Sequence, residues 1–290
     1  MIKTIKDSLH DHIHFLTEKI VPNRSVYNPE SLQKAANYIQ KQFENTGLIV
    51  EIQEWEVDGQ TYRNIIGSYN KNESLPRLVV GAHYDVASGT PGADDNGSAV
   101  AGLIETARNI VINDPDIDYQ IDFVAYCLEE PPYFGTEAMG SYVHAKSLYD
   151  NNVDVIGMIC YEMIGYFSDE PNSQNTWGIL RDSEYNKGNF IITQSIDEFQ
   201  NFNSTVHSLM KENMEIPAVE VNFPKYGLYP SEMSDHKCYM HFGYPSLMVN
   251  DTAFLRNPHY HQASDTIDTL DFDKMVEVVR GCSYAISAIK

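Results

Sequence analysis

Short apolar segments of strand length recur along this chain and alternate with segments of helical pattern. The apolar runs cover residues 78–83, 121–128, 155–162, 190–195, 218–223 and 246–251. Between most of them lie helical patterns, over 98–113, 136–150, 197–213, 233–242 and finally 273–289. Strands that alternate with helices form a largely parallel sheet that is covered on both faces. The sequence therefore predicts an α/β protein, a three-layer α/β/α sandwich with a mixed, mostly parallel sheet.

Two local signals precede the first of these strands. Asn28 followed by Pro29 is typical of a helix start, and Gly47 is typical of a helix end. Asp58-Gly59 separates two segments of alternating polarity, which predicts a β-hairpin. We expect the two strands of this hairpin to join one edge of the sheet in antiparallel orientation.

The domain organisation follows from the same pattern. We expect a single domain over residues 1–290, in which helices within 1–47 pack on a sandwich formed by about 48–290. The alternative is a second, small domain in the 165–230 region, where the pattern is least regular. A chain of 290 residues with 42% apolar and 21% charged residues has the composition of an ordinary globular protein.

Charge and hydropathy restrict the partners of the chain. A net charge of −21 argues against nucleic acid, which needs a basic face. No run approaches the roughly 18 uninterrupted apolar residues of a membrane helix. The first twenty residues carry charges where an export signal has a continuous apolar block. We therefore expect no membrane partner and a cytoplasmic location; removal of a signal peptide would instead make the protein secreted or periplasmic.

Carboxylate and imidazole side chains stand at the carboxyl ends of four predicted strands, where open α/β sheets bind ligands. Taken singly, each group is typical of a turn, a helix cap or a buried histidine. The prediction of a ligand site therefore depends on the recurrence of such groups at several strand ends. So many carboxylates in one place repel one another unless a cation lies between them. The groups are His83, Asp85, Asp94, Asp95, Glu129, Glu130, Glu162, Asp251, His259 and His261. Histidines with carboxylates suit zinc, and a shared Asp suits a pair of metals.

Five motifs make the prediction specific. They are GAHYD…PGADDNGSAVAGLIETAR, CLEEPPYFGTEAMGS, YEMIGYF, SDHKCYMHFGYPS and HYHQASDT, in this order. The set resembles metallopeptidase family 28, the co-catalytic zinc aminopeptidases, which are related to glutamate carboxypeptidase II and glutaminyl cyclase. The resemblance spans about residues 78–270. It implies a zinc-exopeptidase-like fold and two zinc ions per chain, with one as the alternative.

The resemblance also implies a set of metal ligands. His83 corresponds to a ligand of the first zinc, and Asp95 corresponds to the bridging carboxylate, with Asp94 the less favoured choice for that role. Glu130 and His261 correspond to ligands of the second zinc. The third ligand of the first zinc is Glu162, where many members carry Asp, so this site is expected to be shifted or more weakly occupied. This departure leaves the number of metals open.

The remaining roles concern catalysis and the substrate. The resemblance implies that Glu129 is the general base and that a cis peptide bond follows the bridging carboxylate, at Asp95-Asn96. Asp85 is expected to orient the His83 ring. Next to the final histidine ligand, Tyr260 is a candidate donor to the developing oxyanion. Glu129 and Glu162 are candidates for binding the substrate amino group, and weaker candidates for substrate contact are Asp251, Tyr166, Arg181 and Arg256.

The function implied is a zinc-dependent exopeptidase that removes the N-terminal residue of a peptide or aminoacyl substrate through a metal-activated water. A single-zinc glutaminyl cyclase is the first alternative, and Tyr260, where those relatives usually carry Trp, weighs against it. A carboxypeptidase would need a basic cluster near the motifs, which the sequence lacks. A non-catalytic scaffold of the same fold, as in the transferrin receptor, is disfavoured because every ligand position carries a competent residue. We expect a monomer or a small homo-oligomer.

Overall fold

The computed structural model describes residues 3–176, 185–224 and 229–290. Its strands form one eight-stranded sheet. They are β1 (Ile49–Val57), β2 (Gln60–Tyr69), β3 (Arg77–His83), β4 (Gln120–Tyr126), β5 (Val155–Glu162), β6 (Ile191–Ile196), β7 (Ala218–Phe223) and β8 (Ser246–Asn250). The helices are α1 (Ile5–His14), α2 (Pro29–Thr46), α3 (Ala99–Asn113), α4 (Gly140–Asp150), α5 (Gln200–Glu212), α6 (His236–His241) and α7 (Phe272–Ala288).

The strands follow the order β1-β2-β4-β3-β5-β8-β6-β7 across the sheet. The centre is parallel, because β3 pairs in parallel with both β4 and β5, and β5 pairs in parallel with β8. The hairpin β1–β2 adds an antiparallel edge, and Asp58 and Gly59 at its turn both have positive φ, as a two-residue hairpin loop requires. The predicted mixed sheet and edge hairpin are confirmed.

Helices cover both faces of the sheet. Successive residues of a strand point to opposite faces, so Val80 packs into the core beneath α2, α3, α5 and α7, while Val79 packs into the core beneath α4 and α6. α2 ends at Gly47, whose φ of 96° is the left-handed conformation expected after a helix. The three-layer sandwich is therefore confirmed. Among the described residues, none of the helices combines the length and apolar character that a membrane span requires.

Two element boundaries next to the candidate site differ from the predictions. β4 ends at Tyr126 rather than at 128, because Leu128 has a φ of 67° that breaks the extended backbone. α4 begins at Gly140 rather than at 136, because the preceding residues form a turn in which the Thr136 hydroxyl donates to the Tyr133 carbonyl at 2.6 Å. Both differences lie beside Glu129 and Glu130, so they shape the loop that carries these carboxylates.

The 165–230 region contributes β6, α5 and β7 to the same sheet, since β6 pairs with both β7 and β8. At the other end of the chain, α1 packs against α3 and α7. These contacts favour the single-domain organisation over 1–290, which remains a prediction. Cys127 and Cys160 are buried free thiols, as expected from the apolar runs that contain them.

Candidate metal and catalytic site

Adjacent strand ends bring the predicted side chains together. β3 ends at His83, β5 ends at Glu162, and the loop after β4 carries Glu129 and Glu130; these three strands are neighbours in the order β4-β3-β5. The chain turns sharply at each carboxylate, because Leu128 before Glu129 and Met163 after Glu162 both have positive φ. Such backbone conformations are costly for non-glycine residues and concentrate at functional sites.

His83 presents one ring nitrogen to the carboxylates. Its Nδ1 donates to the backbone carbonyl of Asp85 at 3.1 Å, which fixes the tautomer and leaves the Nε2 lone pair facing inward. Nε2 lies 3.3 Å from Glu162 Oε2, 3.5 Å from Asp95 Oδ1 and 3.8 Å from Glu129 Oε2. A neutral imidazole nitrogen held in this way is the form that binds a metal.

Asp95 lies between two groups of candidate ligands. Its Oδ1 faces His83, whereas its Oδ2 lies 3.1 Å from His261 Nε2. On the second side, Glu130 Oε2 lies 3.4 Å from the same nitrogen of His261. The peptide bond between Asp95 and Asn96 is cis, as the resemblance implied. One carboxylate therefore supplies an oxygen to each group.

The donor set fits zinc. His83, Glu129 and Glu162 place candidate ligand atoms within 4.8 Å of one another, and so do Asp95, Glu130 and His261. The second carboxylate oxygen of Glu130, Oε1, is buried and has no hydrogen-bond partner among the described residues. An unpartnered buried carboxylate oxygen is costly unless a cation satisfies it. Nitrogen and oxygen donors in these numbers are typical of zinc sites.

The cluster favours protonated side chains. Burial opposes the positive charge of both histidines, but their carboxylate neighbours prevail: Glu162 and Glu129 raise the pKa of His83 well above its usual value, and Asp95 and Glu130 raise the pKa of His261 to about 10. Burial raises the pKa of Glu129 well above its usual value. Ligands must give up their protons to bind a metal, so we expect metal binding here to release protons.

Two buried Asp side chains accept hydrogen bonds from the loops around the candidate ligands. The Asp85 carboxylate accepts from the backbone N–H groups of Glu129 and Glu130, at 3.2 and 3.0 Å. Asp94 accepts from the Gly165 amide at 3.0 Å and from the Asn257 side chain at 2.7 Å. Asp85 therefore orients His83 mainly through its carbonyl, and Asp94 points away from the two ligand groups, which favours Asp95 as the bridging residue.

Tyr260 and Glu162 connect the ligands to a cavity of about 50 Å³. The Tyr260 ring stacks on the ring of His261, with centroids 3.9 Å apart. Burial, followed by the charge of Asp95, raises the pKa of the Tyr260 hydroxyl, which therefore stays protonated. The remaining lining is largely apolar: Met163, Ile192, Gln194, Met233, Met248, Asn250, Thr252, Ala253, Phe254 and Leu255.

Three weaker candidates occupy supporting positions. Asp251 is fully buried, and its two oxygens accept from the amides of Tyr166 and Ala253, so it supports the loop instead of facing the cavity. The Tyr166 ring packs edge-on against His259. Arg256 is buried and donates to the backbone carbonyls of Gly188 and Phe190, so its guanidinium braces loops away from the metal ligands. Arg181 lies outside the described residues.

Several contacts of the site have no counterpart in the sequence predictions. The Ser234 hydroxyl donates to Glu162 Oε2 at 2.5 Å, and the Asn96 side chain donates to the carbonyl of Tyr161 at 3.1 Å. The Asp265 carboxylate accepts from the backbone N–H groups of both Asp94 and Asp95. Ser234 and Asp265 lie within the motifs SDHKCYMHFGYPS and HYHQASDT, so the motifs were a signal for them. For Asn96 the motif indicated a turn and a cis peptide bond, but no contact of its side chain.

Solved structures share this fold. An aminopeptidase of Legionella pneumophila, LapA, aligns with a TM-score of 0.77 over 97% of this chain and 71% of that chain, at 21% identity. A glutaminyl cyclase of Bacteroides thetaiotaomicron, bound to N-acetylhistamine, aligns with a TM-score of 0.72 over 98% of both chains, at 20% identity. At these identities the similarity shows the fold alone.

Sequence relatives define the family. Residues 64–286 match the profile of peptidase family M28. The uncharacterized protein YfbL of Escherichia coli is 37% identical over 95% of this chain and 85% of its own length. A probable leucine aminopeptidase 1 of Trichophyton verrucosum is 30% identical over 69% of this chain, which spans about half, 51%, of that relative. The chain is thus a hydrolase that acts on peptides, and it belongs to peptidase family M28.

Proposed function

We propose that the protein is a zinc-dependent aminopeptidase, an exopeptidase that hydrolyses the bond after the N-terminal residue of a peptide. The observation that carries this proposal is the position of Asp95, which turns one carboxylate oxygen toward His83 and the other toward His261. A shared carboxylate between two ligand groups is the arrangement that a pair of metals needs. The family membership and the aminopeptidase among the relatives support the same reaction.

The proposed metal ligands fall into two groups that share Asp95. His83 and Glu162 complete the first group, from which Glu129 is left out as the proposed base, and Glu130 and His261 complete the second. Zinc bound by such groups lowers the pKa of water and polarises a carbonyl group. The complete first group favours two zinc ions per chain over one.

Glu129 is the proposed general base. It is buried beside both ligand groups, and burial raises its pKa well above the usual value of a carboxylate. A group of this kind accepts a proton from water and returns it to the leaving amine. The backbone amide of Glu129 is bonded to Asp85, so the carboxyl group is attached to a fixed loop.

Tyr260 is the proposed donor to the oxyanion. Burial and the charges of Asp95, Glu130 and Glu162 raise the pKa of the Tyr260 hydroxyl, so it remains protonated and can donate. Its ring stacks on His261, and Tyr260 lines the cavity together with Glu162. A donor fixed at this position stabilises negative charge as it develops on the substrate carbonyl oxygen.

The cavity supports a preference for an apolar N-terminal residue. Its apolar side chains include Ile192, Met233 and Met248, and Glu162 also lines it. A carboxylate in the lining suits the positively charged amino group of a peptide, while the apolar lining suits the side chain of its first residue. We propose residues of the size of leucine or methionine as the preferred N-terminal residues.

A glutaminyl cyclase is the second candidate, because a cyclase structure shares the fold over nearly the whole chain. It would need only Asp95, Glu130 and His261 as ligands, with Glu129 as the proton-transfer group. The pairing of His83 with Glu162, at 3.3 Å, would then have no role in catalysis. This complete additional ligand group favours the aminopeptidase.

The test combines metal analysis with a substrate panel. Protein purified without chelator is assayed on aminoacyl-nitroanilides and on a peptide with N-terminal glutamine. Glu129→Gln is expected to lower kcat by about 10²–10⁴-fold while zinc content stays near two per chain. Glu137→Gln, on the exposed part of the same loop, is the matched control and should keep full activity.

Three results would contradict the proposal. Cyclisation of N-terminal glutamine without amide hydrolysis would favour the cyclase. Zinc that is lost together with activity in Glu129→Gln would make Glu129 a ligand instead of the base. A wild-type protein that binds no metal would overturn the zinc-dependent mechanism.

A further inference from the structure

We infer that Arg24 is a positioning residue that holds two loops carrying proposed metal ligands. Its Nε donates to the carbonyl of Tyr84 at 3.0 Å, in the turn between His83 and Asp85. Its Nη1 and Nη2 donate to the carbonyls of Pro91 and Gly92, at 3.1 and 2.9 Å, just before Asp95. One guanidinium therefore joins the backbone beside the first-group ligand to the backbone beside the shared ligand.

Arg24 belongs to the N-terminal part of the chain. It follows α1 and precedes α2, and its Nη1 also donates to the Leu16 carbonyl at 2.9 Å. This position lies outside residues 64–286, which match the family profile. The contacts of Arg24 therefore attach the N-terminal helices to the ligand loops.

Complete burial makes the charge of Arg24 costly unless its donors and its charge are both satisfied. Arg24 has no exposed surface, and its four hydrogen bonds all go to carbonyl oxygens. A buried charge is costly unless opposite charges compensate it. The carboxyl groups of Asp265, Asp85 and Asp95 oppose the effect of burial on the pKa of the guanidinium, and Asp95 is the proposed shared ligand. At neutral pH the guanidinium stays charged, since burial lowers its pKa only to about 10.

A second side chain holds the opposite side of the same segment. While Arg24 binds the carbonyls of Pro91 and Gly92, the Asp265 carboxylate binds the amides of Asp94 and Asp95. Gly92 permits the close approach, because its φ is 69° and a Cβ there would lie 3.1 Å from Arg24 Nη2 and 2.2 Å from Val86. Protein side chains thus hold the 91–95 segment on both sides.

The inference rests on the proposed metal site but not on the identity of the reaction, so its test measures zinc binding directly. Zinc dissociation constants are measured by competition with a chromophoric chelator for wild type, Arg24→Lys, Arg24→Met and Asn203→Ala. Asn203 is the matched control: it is fully buried and donates to the carbonyls of Thr193 and Val221, among β6 and β7. Circular dichroism establishes that each variant is folded.

We expect both Arg24 variants to bind zinc about 10–100-fold more weakly, the usual loss when a residue that supports metal ligands is removed. Lys keeps the charge but cannot reach four carbonyls, so it should restore only part of the affinity. Asn203→Ala should bind zinc as wild type does. Folded Arg24 variants with wild-type affinity, or an equal loss in Asn203→Ala, would overturn the inference; a wild type without zinc would instead overturn the proposed function.

A second measurement uses the wild-type protein and so does not depend on the folding of any variant. Hydrogen exchange of the metal-free chain reports whether the ligand loop is fixed in advance. The amides of Ala93, Asp94 and Asp95 should exchange as slowly as those of the central strands. Fast exchange of these amides, becoming slow only after zinc is added, would show that the metal and not Arg24 orders the loop.

Discussion

Glu162 is one methylene longer than the Asp that many family members carry at this position, and its surroundings accommodate the extra length. Its Oε2 accepts a hydrogen bond from the Ser234 hydroxyl at 2.5 Å and lies 3.3 Å from His83 Nε2. Met163, the next residue, has a φ of 47°, which turns the chain away directly after the carboxylate. A supporting hydrogen bond of this kind both orients a ligand and adjusts its basicity.

Removing this hydrogen bond should weaken only the first ligand group. We expect Ser234→Ala to lower the affinity of that group for zinc by 10-fold or more, because Glu162 loses its fixed direction. Titration with zinc should then separate into one tight and one weak step. Ser283→Ala, on α7, removes a buried hydroxyl far from the site and should leave the titration unchanged. A single unchanged transition in Ser234→Ala would contradict this role.

The cavity lining predicts a change of specificity. Met233→Ala should enlarge the cavity and raise kcat/KM for an N-terminal phenylalanine relative to leucine by about 10-fold or more, since each methylene in an apolar pocket contributes about 1–3 kcal/mol. The measurement is the ratio of kcat/KM values on the two nitroanilides. Met139→Ala, whose side chain is buried outside the cavity, is the control. An unchanged ratio would show that Met233 does not contact the side chain of the N-terminal residue.

At the scale of residues, the sequence identified side chains that the structure brings together where these side chains end a strand. His83 and Glu162 were identifiable because each closes an apolar run, and their mutual approach follows from the pairing of β3 with β5. Arg24 carried no such signal, because three of its four partners are carbonyl groups of residues 60 to 68 positions away. Backbone carbonyls occur at every residue, so no sequence pattern marks the ones that a side chain will bind.

At the scale of elements, α4 and α6 attach to the sheet through a chain of buried polar groups. His144 on α4 lies 2.6 Å from the Tyr239 hydroxyl on α6, which in turn lies 2.7 Å from the Tyr126 hydroxyl on β4. Burial lowers the pKa of His144 to about 4. The apolar runs predicted the strand positions to within two residues. They did not predict these polar contacts between helices, because a single His or Tyr in a helix does not indicate which side chain it will contact.

The low pKa of His144 predicts that the attachment of α4 to α6 and the sheet weakens in acid. The unfolded chain binds a proton at His144 near pH 6.5, whereas the folded chain resists it until about pH 4. The free energy of unfolding should therefore fall by roughly 3 kcal/mol at most as pH drops from 6.5 to 4. His144→Asn should flatten this slope in urea unfolding, while His10→Asn, on the exposed face of α1, should not. An equal slope in both variants would contradict the assignment.

At the scale of the whole molecule, the acidic cluster should link the stability of the fold to the binding of the proposed metal. Burial raises the pKa of Asp235 to about 7 and that of Asp265 to about 8, and carboxylate neighbours raise that of His261 to about 10. These values lie above those of the unfolded chain, so the protons stabilise the fold at low pH. That stabilisation is lost as pH rises through the folded values.

Metal removal should therefore lower the stability of the protein more at high pH than at low pH. We expect the Tm of chelator-treated protein to fall by several degrees between pH 6 and pH 9, because the cluster then carries uncompensated negative charge. The zinc-loaded protein should lose much less over the same range. Differential scanning calorimetry of both forms across this range checks the expectation, and parallel curves for the two forms would contradict it.

The strand order has a consequence for how the site comes into being. The proposed ligands lie at positions 83, 95, 130, 162 and 261 and the proposed base at 129, while Arg24 precedes them all. β8, which pairs with β5 in the middle of the sheet, is synthesised after β6 and β7 at its edge. During translation, a growing chain holds its first histidine ligand long before the last one leaves the ribosome. Zinc loading as proposed here is thus a late event of biogenesis, dependent on non-local strand pairing that is intrinsically slow.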